Sequence, residues 1–147
     1  MTARSIDIEA VLHPGFAKAP ALKLSEALSF WGGFDPRDGR ILDPAHPQRG
    51  EIVTNHVLAM PGSRGSAGTP AGIAEAMRRG VGPAAIVLLR PDVNIAIGAQ
   101  VASRLYGSEL PVVLVTKETF AGLDTGTTVL IDTATVVSRS PHRRATS

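Results

Sequence analysis

Between residues 56 and 116 the chain alternates short unbroken apolar runs with longer stretches of helical spacing. "HVLAM" (56–60), "AAIVLL" (84–89) and "PVVLVT" (111–116) are apolar on both sides of a pleat. Such runs read as strands covered on both faces, as in a parallel sheet. Between the first two, Thr69-Pro70 predicts a helix start, with the threonine as cap and the proline at the first helical position. Ile73, Ala76 and Met77 then share one helical face. Arg78 and Arg79 suit the dipole of the last turn, and Gly80 ends the helix. "DVNIAIGAQVASRLYG" (92–107) predicts a second helix ending at Gly107, with Ile97, Val101 and Leu105 at fourfold spacing. The sum is a βαβαβ unit.

The flanks are β-rich. "SIDIEAVLH" (5–13) begins with strict alternation and predicts one strand, "PGFAKAP" (14–20) a connection. "LKLSEALSFW" (22–31) opens strand-like and takes one helical turn with Ser25 as its cap. Gly32-Gly33, Asp35-Pro36 and Asp38-Gly39 follow as tight turns held by aspartate side chains. "TTVLIDTATVVS" (127–138) reads as one or two β segments. No linker divides the chain, so the expectation is one α/β domain over residues 1–138 and a flexible basic tail over 139–147, which holds Arg139, Arg143 and Arg144.

Composition narrows the function classes. The net charge is +2 and the chain holds only six aromatic residues, so a basic face interleaved with aromatics, as nucleic acids require, is not expected. The apolar runs fall far short of the roughly 20 residues of a membrane span. The opening "MTARSIDIEAVLHPG" carries acidic residues where a secretory signal needs an apolar block, so a cytoplasmic location is expected. There is no cysteine, and His13, His46, His56 and His142 lack zinc-like spacing, so no metal is expected on this chain alone.

The candidate chemistry lies in "MPGSRGSAGTP" (60–70), which runs from a strand end into a helix start. Free backbone N–H groups and a positive dipole end make that junction suited to a carboxylate or phosphate. Gly62, Gly65 and Gly68 let the backbone approach a ligand, Arg64 offers a charged fork, and Ser63, Ser66 and Thr69 offer hydroxyls. The segment lacks the Gly-Lys-Ser/Thr ending of a P-loop and the frame of a nucleophile elbow. Taken by composition alone, an ordinary connection is the commoner role for such a loop. Arg90, Asp92 and Asn94 follow a buried strand, at a place where α/β sheets often meet ligands, although capping the next helix is the simpler role for Asp92 or Asn94. Phe30 and Trp31 are expected as core or interface anchors, and His56 as a structural histidine.

"FWGGFDPRDGRILDPAHPQRGE", "MPGSRGSAGT" and "GPAAIVLLRPDVNIAIGAQVA" occur in that order. Together they resemble the small subunit, or swivel domain, of aconitase X enzymes, over about residues 4 to 136. The resemblance implies a swivelling β/β/α domain like that of aconitase. It also implies dehydration of cis-3-hydroxy-L-proline or of mevalonate 5-phosphate. The family pairs this part with, or fuses it to, a large cysteine-bearing part that carries iron or an iron–sulfur cluster. The family's proton acceptor is a serine whose position here is Ser66. Relatives often carry a hydroxyl directly after that serine, where this chain has Ala67, and a serine three places on, where it has Thr69.

The expected function is therefore the small subunit of a hydro-lyase, active only with its large subunit and acting on a small anionic substrate. Cis-3-hydroxy-L-proline is favoured and mevalonate 5-phosphate is the alternative. A non-catalytic anion-binding or assembly module is the alternative of another class. A surface made to face a partner would favour homo-oligomers of the isolated chain.

Overall fold

A computed structural model describes residues 3–62 and 67–135. The strands are β1 (Arg4–Ser5), β2 (Ala10–His13), β3 (Phe16–Lys23), β4 (Val57–Met60), β5 (Ala85–Leu88), β6 (Val112–Leu114) and β7 (Thr128–Asp132). The helices are α1 (Thr69–Arg78), α2 (Val93–Tyr106) and the short α3 (Lys117–Ala121). All seven strands form one sheet in the order β1-β7-β3-β4-β5-β6-β2. β3, β4, β5 and β6 run parallel, so their carboxyl ends share one edge; β7 and β2 run antiparallel to β3 and β6.

The βαβαβ unit is present as the sequence predicts. Every residue of β4 and β5 is buried. Leu58, Met60, Ile86 and Leu88 meet Ile73 and Ala76 of α1 and Ile95 and Ala99 of α2 in one core cluster, so both helices cover the same face of the sheet. Val57, Ala59, Ala85 and Val87 point to the other face, where Ala17, Ala19, Ala21, Val129, Ile131 and Leu123 join them.

Several expectations change. The predicted connection 14–20 is the first half of β3, an eight-residue strand. Its alternation is inverted in size, with alanines 17, 19 and 21 buried and Phe16 half exposed. Pro20 is tolerated because β4 is in register only with Ala21–Lys23, leaving β7 as the neighbour at Pro20. Residues 22–31 contain no helical turn; the Ser25 amide instead donates to Gln48 Oε1, whose Nε2 donates to Lys23 O. The stripe of α2 is also different. Ile95, Gly98, Ala99 and Ala102 face inward, whereas Ile97 is 42% and Leu105 65% exposed. A β-carbon on Gly98 would stand 2.9 Å from Ile73 Cβ and 3.2 Å from Pro70 Cα, so close helix approach selects small residues at this contact.

The predicted strand 5–13 divides in two. β1 lies at one edge of the sheet and β2 at the other. Ser5 and Ala10 are five steps apart, which reaches at most about 18 Å. Six spacings across a flat seven-stranded sheet need about 29 Å. The sheet therefore curls until its two edges approach, and the tether crosses its second face with Ile6 and Ile8 against that core.

Candidate functional site

The site is built where four parallel strands end. β3 runs out at Lys23 into a long connection that returns at β4. That connection is held by its own polar groups. Asp35 Oδ1 accepts the Arg37 amide at 2.8 Å, its carboxylate takes the Arg37 guanidinium, and Asp38 Oδ1 accepts the Arg40 amide. The aspartate-held turns are thus as the sequence indicates. The Arg37 side-chain hydrogen bonds, and then its amide, hold the Asp35 carboxyl below its ordinary range, against an opposing effect of burial. His46 is buried; its Nδ1 accepts the Gln48 amide, so its Nε2 carries the hydrogen and donates to Glu26 O. His56 Nδ1 lies 2.9 Å from Thr54 O, a structural contact. Among the described residues no group of three histidines, aspartates or glutamates is placed to hold a metal ion. Among them, too, no helix is long and apolar enough to cross a membrane.

This connection delivers Phe30 and Trp31 to the start of α1. Phe30 is 3% exposed, and its carbonyl sits against Gly72, so closely that a β-carbon there would overlap it. Trp31 is 61% exposed rather than part of the core. Its indole lies on Gly68: a β-carbon on that glycine would be 2.5, 2.6 and 2.9 Å from Cγ, Cδ2 and Cδ1.

Of the site residues expected from sequence, Ser63, Arg64, Gly65 and Ser66 lie outside the described residues, as does the basic tail. Gly62 is buried at the end of β4. Gly68 is the N-cap of α1, with φ −82° and no side-chain cap bond. Thr69 is therefore the first helical residue and not the cap, and Pro70 is the second; Thr69 has no solvent-exposed surface.

A further residue belongs to this edge. Arg90 follows β5, and its amide donates to Pro61 O at 3.1 Å, tying the ends of β4 and β5 together. Its guanidinium lies over Gly62. A β-carbon there would be 3.0 Å from Nη2 and 3.4 Å from both Cζ and Nε. Asp92 caps α2, accepting the amides of Asn94 and Ile95 at 2.9 and 3.2 Å, while Arg90 of the same segment places its guanidinium on Gly62. The loop from Gly62 to Gly68 is thus bracketed by a guanidinium at one end and an indole at the other. The "LRPD" turn was visible in the sequence as a strand end; that it faces Gly62 required the β4–β5 register.

A depression of about 550 Å³ at the opposite edge is lined by Pro14, Phe16, Glu109, Asp132 and Thr133. Its two carboxylates are engaged by the backbone amides of Phe16 and Ala134.

Comparison with known proteins adds to this geometry. Residues 6–138 match the model of the aconitase X swivel domain. A cis-3-hydroxy-L-proline dehydratase of Pseudomonas aeruginosa is 42% identical over 69% of this chain, a span equal to 17% of that protein's length. A phosphomevalonate dehydratase small subunit of Methanothrix thermoacetophila is 35% identical over 80% of this chain and 82% of its own. The crystal structure of Thermococcus kodakaraensis aconitase X in its holo-form superposes with a TM-score of 0.75 at 25% identity, covering 84% of this chain and 88% of that one.

Proposed function

Since the chain belongs to the aconitase X swivel domain family, we propose that it is the small subunit of a hydro-lyase that dehydrates cis-3-hydroxy-L-proline. The observation that carries this reading is the placement of the loop. Its described ends leave the shared carboxyl edge of the parallel strands and enter the N-terminus of α1, with Arg90 on Gly62 and Trp31 on Gly68. Ligands of open α/β sheets bind outside that edge. The identity to the hydroxyproline enzyme supports the choice of substrate.

Dehydration of a hydroxy acid removes a proton beside a carboxylate and expels hydroxide. In this reading Ser66 accepts the proton. A serine hydroxyl is a poor base, so it acts as an alkoxide held by nearby cations and aligned N–H groups. Gly62, Ser63, Arg64, Gly65, Gly68 and Thr69 form the surrounding anion-binding loop. The chain has no cysteine and its described residues form no metal-binding cluster, so those residues do not fit an iron centre. The Lewis acid for hydroxide departure would come from iron or an iron–sulfur cluster on the large subunit. In this reading the chain is active only as a heteromer with the large subunit, and the cytoplasm is its proposed location.

A second reading, mevalonate 5-phosphate as substrate, is favoured by the near end-to-end match to a separate small subunit. Co-expression with the large subunit, iron loading without oxygen, and assay of both acids separates the two. Turnover of cis-3-hydroxy-L-proline supports the proposal, and turnover of mevalonate 5-phosphate alone replaces it with the second. An assembled, iron-loaded complex that turns over neither refutes both. An assembled Ser66→Ala complex without activity favours a catalytic role for Ser66. Full activity would make this chain a non-catalytic assembly module.

A further inference from the structure

We propose that Arg90 is a substrate-binding residue that clamps the anionic group of the substrate, a carboxylate or phosphate, at the Gly62 end of the loop; this rests on the function proposed above.

The argument begins with the three distances over Gly62. Nη2, Cζ and Nε all fall between 3.0 and 3.4 Å from the point where a β-carbon would stand. With Nη2 nearest and Cζ and Nε equally distant behind it, the guanidinium packs obliquely across the glycine. Its N–H donors radiate in the plane of the group, and the exposure of the residue leaves them open to a ligand. Glycine gives this approach without strain: a β-carbon at position 62 would make the guanidinium give by a few tenths of an ångström.

Partnering is the second part. The Arg90 residue is exposed, and among the described residues no carboxylate pairs with its side chain. Arg37, Arg40, Arg78 and Arg79 each lie within ion-pair distance of an aspartate or glutamate. Arg90 is instead held by packing and by its backbone bond to Pro61. Such a guanidinium keeps its fork for a ligand and has already lost part of the rotamer freedom that binding would otherwise cost.

Position is the third part. Arg90 follows β5 at the carboxyl edge shared by β3, β4, β5 and β6, and its side chain reaches back across the end of β4. An anion held there lies at the entrance to the segment that carries Ser66.

The test uses Arg90→Gln, Arg90→Lys and Gly62→Ala in the complex with the large subunit, each checked for assembly by size exclusion. Losing a charged hydrogen-bonding partner corresponds to roughly 10- to 100-fold in affinity. The expected result for R90Q is a KM higher by about that factor with kcat changed less than about threefold. R90K recovers part of the loss, and G62A moves KM the same way by less. Should R90Q not assemble, R90K and G62A carry the test. A KM within twofold of wild type in the assembled variants overturns the proposal.

If the wild-type complex turns over neither acid, the functional reading falls and Arg90 is judged separately. Inorganic phosphate and acetate are titrated into the full chain, following the Arg90 Nε–H and Gly62 amide resonances by NMR. Saturable shifts that vanish in R90Q retain the anion site, and the ion that produces them tells phosphate from carboxylate. No shift with either ion overturns the site as well.

Discussion

Replacing Gly68 by alanine puts a methyl group where the Trp31 indole lies, 2.5 to 2.9 Å from three of its ring carbons. Carbon atoms pack at about 3.5–4.0 Å, so the two must part by about 1 Å. Helix α1 is fixed by Gly72 against the Phe30 carbonyl, whereas Trp31 is 61% exposed, so the indole gives way. The covered part of that side chain is roughly 100 Å², from the size of a tryptophan. At 25 cal/mol per Å² its loss costs about 2.5 kcal/mol, or about 1.5 kcal/mol after allowing for a compact unfolded chain. At φ −82° alanine is unstrained and returns about 0.4–1 kcal/mol by restricting the unfolded state. The net loss is about 0.5–2 kcal/mol, a Tm lower by roughly 1–8 °C. Trp31 is the single tryptophan, so its emission reports the movement directly and should shift to the red. The decisive measurement is a double-mutant cycle with Trp31→Ala, followed by circular dichroism. Without the indole, Gly68→Ala should be neutral or stabilising. An equal destabilisation in both backgrounds would show that Trp31 does not rest on Gly68.

Three further outcomes are expected. The depressed Asp35 carboxyl, held mainly by Arg37, stabilises the fold fully above its unfolded pKa near ~3.9 and ceases to do so as pH falls through its lower folded value. Wild type should therefore lose more stability than Asp35→Asn between pH 5 and pH 2 in urea titrations, and parallel curves would contradict this. Gly39→Ala forces φ +78° on an alanine and drives its β-carbon onto Thr54 Oγ1, which donates to Val81 O at 2.7 Å. Strain plus a disturbed hydrogen bond should cost at least about 2 kcal/mol in equilibrium unfolding, and a loss below about 0.5 kcal/mol would refute that geometry. Asp92→Ala removes the acceptor for two α2 amides and should cost about 1 kcal/mol; Asp92→Asn should recover most of it in the same assay.

The centre of the fold was legible because its signals are local. β4 and β5 are unbroken apolar runs, and Asp92 and Gly107 bound α2 as cap residues do. β3 was hidden because its inward residues are alanines while Phe16 and Pro20 point out, so the size pattern contradicts the burial pattern. The inner face of α2 was misread for a related reason. Hydrophobicity favoured Ile97 and Leu105, but the contact with α1 needs the small Gly98, and Ala102 is buried on the same helix. Alternation in residues 5–9 was real, yet it belongs to a tether whose Ile6 and Ile8 face the core, and no local rule separates that from a strand. At the site, glycines 62 and 68 were visible as loop chemistry. What they accommodate, Arg90 and Trp31, depends on partners 28 and 37 residues away in sequence and became readable only once register and packing were known.

The tether between β1 and β2 has a consequence for how the molecule opens. In most sheets the two outer strands fray independently. Here one segment of four residues, 6–9, links both, so detaching either strand loosens the anchor of the other. The two borders should then lose amide protection together, as one cooperative unit with one opening free energy. Removing the first thirteen residues would uncover β7 and β6 at once, leaving a molecule with two unpaired borders free to join neighbouring copies.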